Sequence, residues 1–368
     1  MHIPFCRQAC TYCNFHFTTS LHHKDQLVEA LIKEILAEKE YLAGETVQTV
    51  YFGGGTPSLL PPSDIDALLT AIRLQFPVSP EAEITLEANP DDITQERLQA
   101  WKDSGINRLS IGVQSFIEEE LRWMNRAHNS IQARQGLELA LKSFNNLTMD
   151  LIYGSPLLTN EGWQQNIDTA LSLGVPHLSC YALTVEEKTP LYKLISNRKA
   201  PDVDSDKQAA QFMHLMKTLR AKGYEHYEVS NFAKPGHRSR HNSAYWKGSH
   251  YLGLGPAAHS YNGVERRWNL PNNAAYISGL QTGIPPREHE LLTGTQRLNE
   301  YIMISLRTGE GLDLERLSRE WGSPVKIRVE KDLEKYIRKG QVMISGTAVR
   351  LTDEGMLLAD GIASDLFT

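Results

Sequence analysis

The chain has 368 residues, of which 41% are hydrophobic and 22% are charged. These fractions are close to globular averages, so a disordered or fibrous chain is excluded. The length predicts one large domain with a smaller one, or a barrel with additions. Thirty-eight Lys and Arg residues against 44 Asp and Glu residues give a net charge of −6, which argues against a protein that coats nucleic acid. We find no apolar run long enough to be a transmembrane segment and no secretory signal before Cys6, and therefore expect a cytoplasmic protein.

From the N-terminus to about residue 185, short β-rich runs alternate with stretches of helical periodicity. The predicted strands are residues 2–5, 47–52, 83–87, 108–112, 149–153 and 177–183. The predicted helices between them are residues 24–42, 62–76, 94–104, 131–143 and 161–173. This alternation predicts an α/β fold with parallel strands joined by crossover helices. Because the sequence has no glycine-rich dinucleotide fingerprint, a partial (β/α)6 TIM-like barrel is favoured over a doubly wound sheet.

Two further segments follow the predicted barrel of residues 1–185. Residues 186–290 are less regular and rich in His, aromatic residues and Gly, and we interpret them as an extension of the barrel. Residues 291–368 are predicted to form helices at 296–307 and 313–321, then a strand at 348–351 that pairs across a turn at 345–347. That order predicts a small C-terminal winged-helix-like domain. It contains no strong basic cluster, so packing is favoured over DNA binding and no nucleic-acid partner is expected.

The functional residues of a βα barrel gather at the carboxyl ends of its strands. The unusual residues of this chain follow the predicted strands: the cysteine loop, Gly53-Gly-Gly-Thr-Pro57, Glu87-Ala-Asn-Pro90, Gln114-Ser-Phe116, Asp150 with Ile152-Tyr-Gly-Ser-Pro156, and Tyr181-Ala-Leu183. The sequence therefore predicts one composite site at that edge of the sheet.

Three of the four cysteines, Cys6, Cys10 and Cys13, lie within eight residues, whereas Cys180 stands alone in an apolar segment. Disulfides that close such short loops would add little to a chain with an ample core, so a site for a soft metal is favoured. One candidate is a [4Fe–4S] cluster with three thiolate ligands and one open iron. The alternative is a zinc site completed by His16 or by a distant residue. We interpret Cys180 as an inert buried strand residue.

The Cys-x3-Cys-x2-Cys spacing, with Tyr12 before the last thiol, resembles the signature of radical S-adenosylmethionine (SAM) enzymes. Five motifs in order resemble, within that superfamily, the oxygen-independent coproporphyrinogen III oxidase family, and the resemblance covers essentially the whole chain. These motifs are His2-Ile-Pro-Phe-Cys6, Phe52-Gly-Gly-Gly-Thr-Pro57, Glu87-Ala-Asn-Pro90, Gly112-Val-Gln-Ser-Phe116 and Asp150-Leu-Ile-Tyr-Gly154. The resemblance implies a partial barrel of the radical SAM type and one-electron reduction of SAM with cleavage of its S–C5′ bond.

Within this family the chain resembles the heme-chaperone branch more than the oxidases. Phe15 stands where the oxidases have a further Cys, and only five residues precede Cys6 where the oxidases have an N-terminal extension. The run His241-Asn-Ser-Ala-Tyr-Trp246 resembles a motif associated with heme handling in the chaperones. The alternatives left open are oxidative decarboxylation of coproporphyrinogen III and, with less support, a winged-helix regulator that uses the cluster as a redox sensor.

The resemblance also implies roles for individual residues. The implied metal ligands are Cys6, Cys10 and Cys13, and the implied cofactor-binding residues are Tyr12, Gly54, Gly55, Thr56, Glu87, Gln114, Arg126, Asp150, Ala182 and His241. Gln114, Arg126, Asp150 and Ala182 match positions that bind a second SAM molecule in the oxidases. A SAM-contacting Tyr of the family has no counterpart here, since Met1 stands immediately before the segment that begins at His2.

His241 is implied as an axial ligand of heme, with Tyr245 and Trp246 as aromatic surface against the porphyrin. The implied partners are heme, recipient hemoproteins such as respiratory ones, and an electron donor for the cluster. Decarboxylase activity on coproporphyrinogen III is expected to be absent.

Overall fold

A computed structural model describes all residues from Met1 to Thr368. Its strands are β1 His2–Ile3, β2 Val47–Gly54, β3 Val78–Ala88, β4 Arg108–Gln114, β5 Leu147–Tyr153, β6 His177–Ala182, β7 Glu225–Glu228, β8 Asn231–Ala233, β9 His259–Tyr261, β10 Glu265–Asn269, β11 Arg287–Leu291, β12 Leu312–Asp313, β13 Val342–Ser345 and β14 Ala348–Leu351. Its helices are α1 Lys24–Ala37, α2 Pro62–Gln75, α3 Gln95–Ser104, α4 Glu118–Trp123, α5 Ser130–Ser143, α6 Asn160–Leu173, α7 Pro190–Ser196, α8 Ser205–Ala221, α9 Arg240–Trp246, α10 Asn273–Thr282, α11 Gly294–Leu306, α12 Leu314–Trp321, α13 Ser323–Arg338, α14 Asp353–Met356 and α15 Ala359–Asp365.

The chain divides into two compact units, and the division does not follow chain order. The first unit contains residues 1–208 and 250–290, and the second contains residues 209–249 and 291–368. No helix of either unit is long and apolar enough to cross a membrane.

In the first unit, β1 to β6 lie side by side in chain order, and every neighbouring pair is parallel. Each crossover between consecutive strands contains at least one helix, as the alternating pattern predicted. All six predicted strands and all five predicted helices are present, with shifted ends. Strand β1 stops at Ile3 rather than at residue 5, because Pro4 has no N–H with which to continue the ladder.

The parallel sheet is open at β1, which lies at one end of the strand order. The segment at residues 254–255 covers this free edge. His2 N–H donates a hydrogen bond of 2.8 Å to the Leu254 carbonyl, and Gly255 packs directly on His2. Gly255 has φ of +103°, and a Cβ there would lie 2.4 Å from the His2 carbonyl oxygen, so only glycine fits this contact.

A buried carboxylate attaches the same segment to α1. Glu34 is 1% exposed, and it accepts hydrogen bonds from Gly255 N–H at 2.8 Å, Asn269 Nδ2 at 2.7 Å and the Tyr276 hydroxyl at 2.5 Å. Arg287 approaches Glu34 to 3.7 Å. These contacts place α1, β10 and α10 around one buried acceptor, which supports the covered edge of β1.

The second unit contains a short antiparallel pair, β7 and β8, and a three-stranded antiparallel sheet in the order β12-β14-β13. Helices α11 and α12 and the β13–β14 hairpin were predicted, and their order matches the winged-helix-like expectation. Helix α13 was not predicted from the sequence. Its buried residues Val329 and Leu333 lie four positions apart among charged residues, which gives a narrow apolar stripe.

The Glu34 contacts generate a stability prediction. Glu34→Leu removes the acceptor shared by Gly255, Asn269 and Tyr276. It leaves the buried Gly255 N–H and Tyr276 hydroxyl without that acceptor, whereas Asn269 Nδ2 keeps its hydrogen bond of 2.9 Å to the Gly255 carbonyl. We expect it to destabilise the protein by about 2 to 6 kcal/mol, since each of the two buried donors left unsatisfied costs about 1 to 3 kcal/mol, and to lower the urea midpoint measured by circular dichroism. Glu29→Leu, an exposed position on the same helix, is the control and should change the midpoint little. Equal midpoints for Glu34→Leu and wild type would contradict this account of the edge.

Candidate functional site

The loop that carries the three cysteines begins where β1 ends. Thr18 N–H donates to the Pro4 carbonyl at 2.9 Å, and Cys6 N–H donates to the Thr18 carbonyl at 3.0 Å. These two hydrogen bonds close residues 6–18 into a loop at the carboxyl end of the first strand. Cys6, Cys10 and Cys13 are all half-buried on this loop, and none forms a disulfide.

Contacts from the turn after β3 and from the segment after α4 hold the cysteine loop in place. Arg7 donates to Asp92 Oδ1 at 2.5 Å, in the turn that follows β3. Asn125 Nδ2 donates to the Ala9 carbonyl at 2.7 Å, and Thr11 N–H donates to the Met124 carbonyl at 3.0 Å. The loop is therefore attached both to the end of β3 and to the segment after α4.

Burial raises the pKa of the Cys6 thiol to about 11 and raises the pKa of Cys13 as well. The Thr56 hydroxyl is 3.6 Å from Cys6 Sγ and donates towards it. Without a cation these thiols hold their protons, and a bound soft metal would replace the protons because it stabilises the thiolate.

Arg126 lies at the centre of this site and contacts two strand ends and the cysteine loop. Its Nη2 donates to Asn89 Oδ1 at 2.8 Å and to the Gly112 carbonyl at 2.7 Å. Its Nη1 lies 3.4 Å from Cys10 Sγ and 3.5 Å from the Tyr12 hydroxyl. Its Nε is buried and has no hydrogen-bond partner. A buried donor of this kind fits an anionic group of a ligand.

The glycine run at the end of β2 lies against the first strand and its loop. Gly54 has φ of +107°, and a Cβ there would overlap the His2 ring at 2.0 Å. His2 Nε2–H donates to the His16 carbonyl at 2.9 Å, so the ring is fixed between the glycine run and the cysteine loop. Thr56 N–H donates to the Phe5 carbonyl at 2.6 Å. Glycine allows this close approach of backbone to the first strand.

Two carboxylates lie in the interior of the sheet. Glu87 accepts from the Tyr51 hydroxyl at 2.7 Å and from Gly54 N–H at 3.2 Å. Asp150 lies 3.5 Å from the Ser110 hydroxyl. Desolvation and the neighbouring charge of Glu87 raise the pKa of Asp150 to about 7, and burial also raises the pKa of Glu87. Two carboxylates in one partly desolvated space favour a cationic ligand.

A break in the strand register at the end of β4 determines the orientation of Gln114. The register of β4 against β5 shifts between Gly112 and Gln114, which marks a bulge. Gln114 itself has φ of +69°, a rare conformation for a residue with a Cβ. Its amide lies over Gly112, 3.1 Å from where a Cβ of that glycine would be. Ala182 is exposed at the last position of β6, so both implied positions lie at strand ends.

Several residues that build this site were not singled out from the sequence. Asn89 was quoted only within a motif, and its contact with Arg126 gives it a role. Asn125 and His128 carried no sequence signal. His128 is buried, and its Nε2–H donates to the Val113 carbonyl at 3.0 Å, inside the bulge of β4. Contacts of this kind join residues that are far apart in the chain, so no local sequence pattern predicts them.

His241 lies on α9, in the second unit. The helix begins at Arg240 and is capped by Ser239, whose side chain accepts from Asn242 N–H. The rings of His241 and Tyr245 meet edge to face at a centroid distance of 5.0 Å, and Tyr245 is 43% exposed. The Arg307 guanidinium lies over the Trp246 ring, with its Cζ 5.8 Å from the ring centroid. The implied heme residues therefore form a partly exposed aromatic surface on one short helix.

The donor set fits a [4Fe–4S] cluster better than a single metal ion. Three half-buried thiols lie on one loop, and a cubane binds each thiolate at a different iron, so the sulfurs need not converge on one point. No three His, Cys, Asp or Glu side chains converge closely enough to hold one ion. His16 Nε2 is hydrogen-bonded to Asn273 Oδ1 at 2.7 Å. Of the two alternatives, the cluster is therefore the better fit to these donors.

Comparisons with known proteins agree with the motifs. The family model of the radical SAM superfamily matches residues 1–170, and the model of the HemN C-terminal domain matches residues 292–358. The chain is 33% identical to the heme chaperone HemW of Bacillus subtilis (strain 168), over 98% of this chain and 97% of that protein. It is 35% identical to the heme chaperone HemW of Mycobacterium tuberculosis (strain H37Rv), over 100% of this chain and 93% of that protein.

A solved structure shows the same fold along the whole chain. Coproporphyrinogen III oxidase (HemN) from Escherichia coli, a radical SAM enzyme, matches with a TM-score of 0.85 at 25% identity, over 100% of this chain and 89% of that chain. The predicted radical SAM fold with its C-terminal domain is thus confirmed. By identity and coverage, the chain belongs to the HemW family of heme chaperones within the radical SAM superfamily.

Proposed function

We propose that this protein binds heme and a [4Fe–4S] cluster and delivers the heme to recipient hemoproteins. The observation that carries the proposal is the similarity, over almost the whole chain, to two proteins named heme chaperones. Membership of the radical SAM superfamily implies a [4Fe–4S] cluster and SAM as cofactors.

In this proposal Cys6, Cys10 and Cys13 hold three irons of the cluster, and SAM occupies the fourth. When bound, these groups would supply the one-electron reduction that cleaves the S–C5′ bond of SAM. The protein's part is to hold the loop, through Arg7 and the segment after α4, and to shield the thiolates from water. An external electron donor for the cluster is part of the proposal.

The residues around the glycine run would position SAM. Gly54 and Gly55 allow close approach of the backbone, Thr56 donates towards Cys6, and Glu87 offers a carboxylate to a ribose hydroxyl or to a cationic group. Tyr12 lies on the cysteine loop beside Arg126, with its hydroxyl 3.5 Å from Arg126 Nη1.

A second group of residues would contact a cofactor further along the sheet. Gln114, Arg126, Asp150 and Ala182 match the positions that bind a second SAM in the oxidases. The unpartnered Nε of Arg126 is suited to a carboxylate, and the Asp150 carboxylate is suited to a cation.

Heme would bind at α9, with His241 as the axial ligand. Tyr245 and Trp246 supply flat apolar surface, and burial of such surface contributes to affinity. The recipients would be hemoproteins such as respiratory ones. We also place the protein in the cytoplasm, because free thiols on a ligand loop persist in a reducing compartment.

The second candidate function is oxygen-independent decarboxylation of coproporphyrinogen III. The structural match to the HemN oxidase favours it. Against it stands Phe15, which is 67% exposed where the oxidases have a Cys. Phe15 cannot supply the thiol that the oxidases have at this position, so the chaperone is the better proposal.

The experiment that separates the two functions is anaerobic reconstitution with iron and sulfide, followed by two assays on the same protein. We expect saturable heme uptake with a Soret band, and no detectable decarboxylation of coproporphyrinogen III when SAM and a reductant are supplied. Catalytic turnover of coproporphyrinogen III would overturn the chaperone proposal, and so would the absence of saturable heme binding.

For the cluster, we expect reconstituted wild type to bind about four irons. Cys6→Ala, Cys10→Ala and Cys13→Ala should each lose most of this iron, because each removes a thiolate ligand. Iron and sulfide analysis with the visible absorption spectrum measures the loss. The matched control is Cys180→Ala, since Cys180 is 1% exposed and belongs to β6 rather than to the cysteine loop. Equal loss of iron in all four variants would refute the assignment.

For heme, His241→Ala should weaken binding about tenfold, or ~1.4 kcal/mol, and shift the Soret band, because an axial ligand is lost. Cluster iron should be unchanged, since the three cysteines belong to the other unit. Heme titration followed by absorbance measures both effects. His237→Ala, a half-buried His before the same helix, is the control and should bind heme as wild type does. An unchanged spectrum and affinity in His241→Ala would remove it as a ligand.

A further inference from the structure

The three cysteines have unequal surroundings. Cys6 faces a neutral hydroxyl, that of Thr56, at 3.6 Å. Cys13 has a backbone hydrogen bond from Phe15. Cys10 is 3.4 Å from Arg126 Nη1, so among these contacts only Cys10 has a permanently charged donor at its sulfur.

The Arg126 guanidinium is held rigidly enough to act at a defined sulfur. Both hydrogen bonds of Nη2, to Asn89 and to the Gly112 carbonyl, fix the orientation of the group, and Nη1 is the nitrogen that lies near Cys10. The backbone is fixed as well. Thr11 binds the Met124 carbonyl on the loop side, and His128 binds the Val113 carbonyl on the strand side. Residues 124–128 thus connect the cysteine loop to the bulge of β4.

We propose that Arg126 donates an N–H···S hydrogen bond to Cys10 in the cluster-loaded protein and thereby raises the reduction potential of the cluster. Arg126 would thus act on the cluster indirectly, through the sulfur of Cys10. Its unpartnered Nε would still be available for a contact with SAM. The inference rests on the proposed function, because it requires that the three cysteines hold a [4Fe–4S] cluster.

The physical reason is the charge that the cluster gains on reduction. An added electron increases the negative charge on the sulfurs, and a nearby cation or hydrogen-bond donor stabilises that charge. The hydrogen bond is charge-assisted and lies in partly desolvated surroundings, and both conditions strengthen it. A lysine at this position keeps the positive charge but cannot reproduce the fork that binds Asn89, Gly112 and Cys10 together.

The test is the midpoint potential of the reconstituted cluster, measured without SAM by a redox titration monitored by electron paramagnetic resonance. Iron content is measured on the same samples. Arg126→Gln removes the charge and should shift the midpoint to a more negative potential than that of wild type. Arg126→Lys keeps the charge and should shift the midpoint in the same direction by a smaller amount.

Asn125→Gly is the matched control. It removes two side-chain contacts with the cysteine loop, the one donated to the Ala9 carbonyl and the one accepted from Gln8 Nε2, and it removes no donor from the sulfur of Cys10. Asn125 has φ of +56°, a conformation that glycine adopts without strain, so the backbone is preserved. Its cluster should have the midpoint of wild type.

A wild-type midpoint in fully loaded Arg126→Gln would overturn the inference. An equal shift in Asn125→Gly would overturn it too, because loop geometry rather than the N–H···S bond would then set the potential. Loss of iron from both Arg126 variants would assign Arg126 to loop folding and overturn the claim about the potential. If wild type takes up no cluster, the proposed function itself fails, and that result is distinct from the others.

Discussion

Charged side chains inside an open parallel sheet impose the main constraint on this protein. Glu87, Asp150 and Arg126 are drawn from three places in the chain into one partly desolvated space, where an unpaired charge is costly. Neighbouring backbone and side-chain groups offset part of that cost, and the raised pKa values of the two carboxyl groups and the unpartnered Nε of Arg126 show that part of it remains. The hydrogen bonds that these groups make connect the ends of β2, β3 and β4 and the cysteine loop to one another. The site is therefore assembled as a unit, although its residues are spread along the sheet.

The open edge of the sheet is the second constraint. An uncovered β1 would leave backbone groups unpaired beside the loop that carries the cysteines. Residues 254 and 255 cover this edge, and the buried Glu34 holds that segment to α1. Residues 250–290 carry none of the proposed cofactor contacts, yet they support the strand from which the cysteine loop begins. A defect in this support is expected to affect the cluster through the stability of β1.

The two proposed ligands have sites of different character. The cysteine loop is half-buried and anchored by many hydrogen bonds, which suits a cofactor that stays bound. Helix α9 is short, and its aromatic face is partly exposed. A partly exposed site buries less apolar surface of a bound porphyrin than an enclosed pocket would, so it suits a cargo that must leave. This contrast is consistent with a protein that keeps its cluster and transfers its heme.

The sequence by itself determined the alternation of strands and helices, the cysteine loop and the order of the motifs at the strand ends. Those features depend on periodicity and on residue types at short spacing, so they are readable without the fold. Only the tertiary structure decided that the Arg126 guanidinium contacts Cys10, 116 positions away. The same is true of the hydrogen bond that Glu34 accepts from Gly255 N–H, 221 positions away. The tertiary structure also decided that residues 209–249 group with residues 291–368. Such contacts follow from the packing of whole elements, which no local pattern encodes.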